Sequence, residues 1–393
     1  MPTSPAMHEP SVQRYDGREL GSHPHIAILG SCKVGNFVVT LPLLRLIRRR
    51  YPAATIDFWG SEATRDFEEA LCGEYEKKPL NWRCSWDQKD SLNTLQIIAE
   101  TAKARTEIAG QLDLLINCDG FNPLTQTLAS WLRPKFVSGG SLNATGKDLL
   151  KWGDLPNQRF LADKDWDSKD FLERYKGHFN SNYIAELLCR IAFLKPDNFD
   201  LTNIDLPSCQ PSFEVPDVLI HCTTTRAAKI WPFKYWGEVI NWCEHQSISV
   251  GLVGATPKHQ KLEYHAGNKE EQLLNNHPKT LVDLRGRTSL IELAGASKIA
   301  KAVISIDAGP MHIAAGVGTP TLAIVGNDKY GDGVSPIRLW LPRTNCLQRT
   351  VCSYSSKKFS QNHFKNDDLA EARRCMLGVK PQQVINWLKR VLS

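Results

Sequence analysis

The chain has 393 residues, 42% hydrophobic and 23% charged, with a formal net charge of +6 from 48 Lys+Arg against 42 Asp+Glu. This size allows two domains, and this composition excludes a chain disordered throughout. The mild positive bias suits anionic ligands or an anionic membrane surface, and does not by itself indicate nucleic acid.

Residues 1–23 hold no apolar core of the signal-peptide kind and read as a flexible lead-in. No run of 18 apolar residues occurs, so no single membrane-spanning helix is expected. The 11 cysteines are scattered, which predicts reduced thiols in a cytoplasmic chain.

HIAILG (25–30) reads as a buried parallel strand. A glycine-containing loop and a helix through Arg50 follow, then the strand TIDFWG (55–60), which together make a βαβ unit. Arg45, Arg48, Arg49 and Arg50 read as a helix end favoured by the macrodipole, with membrane headgroups as the alternative contact. A helix over 91–111, a strand over 113–120, a helix over 121–135 and a strand over 135–140 complete the first half. Residues 141–180 are polar and irregular, and a helix candidate spans 178–193. Of the tryptophans at 59, 82, 86, 152 and 166, core packing is the expectation and sugar stacking the alternative.

A proline-rich stretch precedes a second cycle. Strands are predicted at 217–225, 249–255, 281–286, 302–309 and 320–326. Helices are predicted at 233–246, 289–300, 310–318 and 381–392. Such alternation predicts a doubly wound parallel sheet, which binds ligands beyond the carboxyl ends of its strands.

The segment 283–326 carries the most information. Asp283, Gly286, Thr288, Ser289 and Leu290 are followed by Asp307, Gly309, His312, Ala314 and Ala315, then by Gly318, Pro320 and Gly326. Upstream stand Thr223, Thr224, Thr225, Lys229, Trp231 and Pro232. In this order and spacing the chain resembles the heptosyltransferase family, glycosyltransferase family 9. GNFVVTLPLL, from Gly35, resembles that family's G-D-x-x-x-x-L-P.

The resemblance implies a GT-B fold, with two Rossmann-like domains facing a cleft and the C-terminal helix crossing back to the N-domain. It divides the chain into the lead-in 1–23, an acceptor domain 24–200, a linker 201–216, a nucleotide-sugar domain 217–345, and a Cys-containing tail with the crossover helix, 346–393. It implies inverting transfer of heptose from ADP-heptose, or another nucleotide sugar, to a lipopolysaccharide-core-type acceptor. A protein or small-molecule acceptor, and a catalytically inactive sugar-nucleotide binder, are the alternatives. Partners are then a nucleotide sugar and a glycan, glycolipid or protein acceptor, with no nucleic acid and with peripheral contact at the inner membrane face left open.

Donor contacts fall on Thr224, Thr225, Lys229, Trp231, Asp307, Gly309 and His312. Chemically these are hydroxyls, a point charge and helix N-terminal amides for diphosphate oxygens. No cofactor is required, because Lys229 supplies positive charge to the leaving diphosphate. Gly35 and Asn36 are the acceptor candidates. The family pattern has Asp after that glycine, and Asn36 cannot accept a proton at neutral pH. Asp119, at the end of a predicted strand in the same domain, is the alternative base, with an ordinary Asp-Gly turn as its bland explanation. In the tail, Cys346, Cys352 and Cys375, with His363 between them, are candidates for a metal, although their spacing is not that of a zinc ribbon.

Overall fold

The computed structural model describes residues 12–31, 33–74, 82–85, 91–163, 165, 166, 168, 170–226, 229–258, 268–326, 337–351 and 369–393. The chain forms two compact units. One takes in Met1–Trp166, Tyr175–Asn180 and Ala185–Pro196, and the other Asp167–Arg174, Ser181–Ile184 and Asp197–Ser393. Helices of eight or more residues are numbered α1–α11.

The first unit is built on a parallel six-stranded sheet in the order β1-β6-β5-β2-β3-β4. Its strands are β1 (Gln13–Arg14), β2 (His25–Leu29), β3 (Thr55–Gly60), β4 (Trp82–Ser85), β5 (Leu114–Asn117) and β6 (Phe136–Gly139). Its helices are α1 (Val34–Arg50), α2 (Arg65–Glu74), α3 (Ser91–Ala109), α4 (Pro123–Trp131) and α5 (Ile184–Ile191). All five residues of β2 are buried, as a strand covered on both faces requires. Asn122 caps α4 by accepting from the Leu124 amide, and Pro123 opens that helix. Order reverses between β2 and β5, so the loops leaving them meet at the sheet's topological switch point.

Beneath the sheet face, Asp57 is wholly buried on β3. It accepts from Arg105 Nε at 2.7 Å and Nη2 at 2.8 Å, and lies 2.5 Å from His25 Nε2. This cluster ties α3 to β2 and β3. At the end of α1, Arg48 donates to the carbonyls of Pro52 and Ala54, and Arg50 pairs with Glu19 at 2.7 Å. Those two arginines close the helix end.

The sheet begins earlier in the chain than the lead-in reading allows. Gln13 and Arg14 pair in parallel with Phe136 and Val137. The Arg14 guanidinium donates to the carbonyls of Gly139, Leu150 and Lys151, and lies over the Trp152 ring at 4.5 Å. Two residues are too short a strand to leave a period in the sequence.

The second unit repeats the plan in the order β12-β11-β10-β7-β8-β9, again parallel. Its strands are β7 (Val218–His221), β8 (Val250–Leu252), β9 (Leu281–Asp283), β10 (Ala302–Ile306), β11 (Thr321–Ile324) and β12 (Leu347–Thr350). Its helices are α6 (Phe233–His245), α7 (Lys269–Asn276), α8 (Leu290–Ile299), α9 (Gly309–Gly316), α10 (Leu369–Leu377) and α11 (Pro381–Leu392). Ser289 and Glu292 form a reciprocal capping box at the start of α8. The switch point here lies between β7 and β10.

Three expectations change at this end of the chain. The stretch read as a linker is docked on the second unit: the Cys209 amide donates to Ile291 O and the Leu206 amide to Gly316 O. A Cβ on Gly295 would meet Cys209 O at 1.7 Å, so only glycine admits that approach. The tail from 346 is also no appendage, because β12 pairs with β11 as the sheet's sixth strand. Finally, α11 was expected to cross back to the N-domain. Instead its Val384, Ile385, Trp387 and Leu388 pack into the second core with Trp231, Trp236, Val239 and Ile240, where large aromatic and branched side chains fit together.

Candidate active site

In the second unit, Ser305 on β10 lies in register with His221 on β7. Chain leaving β7 carries Thr223, Thr224, Thr225 and Lys229, and chain leaving β10 carries Asp307 into α9. Residues 78 positions apart therefore meet at the switch point, where Lys229 Nζ donates to Asp307 Oδ2 at 2.5 Å. Both side chains retain some exposure, 18% and 12%. Charged groups kept close to water can exchange partners when a charged ligand arrives.

Gly309 opens α9 and Pro310 follows it, so the outward amides of the first turn begin at the site. His312, in that turn, is 5% exposed, and its Nδ1 has no hydrogen-bond partner. Burial pushes its imidazole down to about 4, opposed by Asp307 and assisted by Lys229. The ring is therefore neutral near pH 7 and can donate or accept a hydrogen bond. Thr223 is buried with its hydroxyl unpartnered, Thr224 is buried, and Thr225 is exposed. In the turn after the edge strand β9, Gly286 adopts φ +66°, and a Cβ there would meet Thr256 Cγ2 at 2.4 Å. The motif glycine is thus required by backbone shape.

Trp231 does not join this group. It is wholly buried, donates to Val379 O at 2.9 Å and packs edge-on against Trp236. The Lys-x-Trp-Pro motif therefore spends its tryptophan on the core, anchoring the loop that presents Lys229.

In the first unit, Leu29 on β2 is in register with Asn117 on β5. Beyond β2 come Lys33 and, in the first turn of α1, Gly35 and Asn36, and beyond β5 comes Asp119. Asn36 Nδ2 donates to Ser31 Oγ at 2.8 Å. Asp119 heads a tight turn, with the Asn122 amide donating to its carbonyl and Asn122 Nδ2 to its carboxylate at 3.1 Å. The turn is held from below. Asn117 accepts from the Asp119 amide and donates to Gly140 O, Thr125 donates to Asp119 O, and Gln126 donates to Gly120 O. Gly120 and Gly140 touch backbone to backbone, leaving no room for a Cβ on either. Burial raises the Asp119 carboxyl above its usual range, against the pull of Asn122 and Lys33. A raised, rigidly held carboxylate is a better proton acceptor than an exposed one.

Of the tail thiols, Cys346 contacts Ala315 O and Thr344 Oγ1, and Cys375 is buried in the second core. Cys352 and His363 lie outside the described residues, as does Trp86. Among the described residues no group of three or more His, Cys, Asp or Glu side chains is placed to hold a metal, and no helix is long and apolar enough to cross a membrane.

The model of glycosyltransferase family 9 (heptosyltransferase) matches residues 195–358. This stretch contains Lys229, Asp307 and His312. Among curated relatives, lipopolysaccharide heptosyltransferase 2 of Salmonella typhimurium is 25% identical over 167 residues, which cover 42% of this chain and 43% of that protein. The chain spans less than half the length of the curated relatives it matches. Among solved structures, the family 9 glycosyl transferase of Veillonella parvula superposes with a TM-score of 0.65 at 14% identity, covering 94% of this chain and 97% of that one. The E. coli heptosyltransferase WaaC with ADP-2-deoxy-2-fluoro heptose gives 0.61 at 14% identity, covering 93% and 99%. The fold is that of the GT-B heptosyltransferases, with two Rossmann-like units in one chain.

Proposed function

We propose that this chain is an inverting glycosyltransferase that moves heptose from ADP-heptose to a lipopolysaccharide-core-type acceptor. The observation that carries the reading is the Lys229–Asp307 pair beside a neutral, buried His312, assembled at the switch point inside the matched family segment. The solved relative named with an ADP-sugar supports the donor class, and the curated relatives named as lipopolysaccharide heptosyltransferases support the acceptor class.

In this reading the second unit holds the nucleotide sugar. Its diphosphate competes with Asp307 for the Lys229 ammonium and accepts from Thr224, Thr225 and the α9 amides at Gly309–His312. The acceptor hydroxyl attacks the anomeric carbon from the face opposite the diphosphate, so one C–O bond forms as the other breaks and the configuration inverts. Asp119 takes the hydroxyl proton and Asn36 orients the acceptor. Lys229 offsets the charge that builds on the departing ADP, and the step calls on no metal ion.

Asn36, standing where the family pattern has Asp, favours a second reading, a sugar-nucleotide binder without transfer. Mixing the protein with ADP-heptose and deacylated lipopolysaccharide core separates the two. Release of ADP with a heptose-sized mass gain on the acceptor is expected. Saturable donor binding with no ADP release would overturn transfer to this acceptor, and a panel of protein and small-molecule acceptors would then separate another acceptor from a pure binder.

A further inference from the structure

The turn that presents Asp119 also presents an aromatic face that no step above uses. Phe121, two residues after Asp119, is 55% exposed. Its ring stacks on Trp166, with centroids 6.1 Å apart and planes 18° from parallel. Trp166 is itself half-buried and lies within the irregular tract 141–180, its amide donating to Asp163 O. Large aromatic side chains ordinarily go to the core, and a partly exposed stacked pair with one ring on a rigid turn is a surface built to be covered.

The groups beside Asp119, two residues before Phe121 in the same turn, bear on what covers the rings. Asp119 accepts hydrogen bonds, Lys33 donates them and lies close enough to influence the Asp119 carboxyl, and Asn36, three residues on, offers an amide. A flat apolar face edged by donors and acceptors complements a pyranose, which has a C–H face and a rim of hydroxyls. An apolar protein or lipid surface would bury the Asp119 and Lys33 groups and offer them no further hydrogen bonds. We propose that Phe121 and Trp166 form a stacking platform for a sugar ring of the acceptor, placing one of its hydroxyls at Asp119. This deepens the reading of Asp119 as base and rests on it. One half of the platform, Trp166, comes from the first unit's non-motif tract, so it is suited to setting acceptor specificity.

The test uses the full chain and, as probe, the deacylated inner-core oligosaccharide of a heptose-deficient lipopolysaccharide, with binding measured by calorimetry apart from turnover. Phe121→Ala and Trp166→Ala should each weaken oligosaccharide binding by about tenfold or more, the loss typical of truncating an aromatic anchor. Phe121→Trp should retain binding, and ADP binding should stay at the wild-type level in all three. Thermal melts identify a variant that has failed to fold, in which case the other ring carries the test. Ring-dependent oligosaccharide binding in a protein that never releases ADP supports the platform and overturns the transfer reaction. Heptose transfer by the wild type, with both alanine variants binding the oligosaccharide normally, overturns the platform and leaves the reaction standing. Absence of oligosaccharide binding by the wild type also overturns the platform.

Discussion

Each unit holds a basic side chain against an aspartate, and the two pairs do different things. Arg105–Asp57 in the first unit lies inside the layer between sheet and helix, with side-chain exposures of 8% and 0%. Lys229–Asp307 in the second lies at the carboxyl ends of the strands, with 18% and 12%. The chemistry is alike and the placement is not. A pair sealed under a sheet can only brace it, whereas a pair at a switch point can trade its partner for an anion. Position along the strand, more than residue type, separates brace from site.

The sharpest way to break this comparison is to cut each pair and measure both stability and turnover. Arg105→Met leaves the Asp57 carboxylate buried with one cation fewer. A loss of about 3–5 kcal/mol in unfolding free energy is expected, with donor affinity of the folded fraction unchanged. Denaturant titration and ADP binding would check it, and a stable variant would remove the bracing role. On the accessible side of the same unit, Asp119→Asn should lower transfer by about 10²–10⁴ while ADP-heptose still binds. Because burial raises the Asp119 carboxyl, the acid limb of kcat/KM should fall above the ordinary carboxylate range and vanish in the variant. Asn36→Asp should be tolerated or activating, and full activity in Asp119→Asn would eliminate this base.

Lys229→Ala should cost about 10²–10³ in kcat/KM, the loss typical of an electrostatic stabiliser of a leaving group, with little change in melting temperature. Unchanged turnover would sink the comparison from the other side. The smallest effect concerns His312. Its folded-state value near 4 lies below the ordinary 6.5, so between those values the unfolded chain binds more protons. The stability contributed by the neutral ring is complete above about pH 6.5 and is lost as pH falls towards 4. His221, also lowered by burial, adds in the same direction. His312→Gln should flatten the decline in melting temperature between pH 6.5 and 4 without abolishing it.

Much of the second unit was legible because its motifs are local. The last helix spans 381–392, as its apolar spacing predicts, and Ser289 with Glu292 caps α8. Elements that escaped the reading are short or lack a pattern. β12 reads Leu-Gln-Arg-Thr and leaves its residues half-buried or exposed, so nothing in its hydropathy marks a strand. Trp166 lies within an irregular tract, and no periodicity links it to Phe121, 45 positions earlier.

The sequence by itself determined the alternation of strands and helices, the glycines and caps that shape the turns, and the residue types at the donor motif. These follow from backbone sterics and from hydrophobic period over a few residues. Tertiary structure alone decided which partner each apolar face met. Amphipathic spacing shows that α11 buries one face and is silent on whose core receives it, and packing placed Trp387 and Leu388 with Trp236. It also decided that Trp231 is core while Lys229, two residues away, meets Asp307 beyond the strand ends, and that Arg105 reaches Asp57 across 48 positions. Such outcomes depend on strand order and long-range packing, which no local window contains.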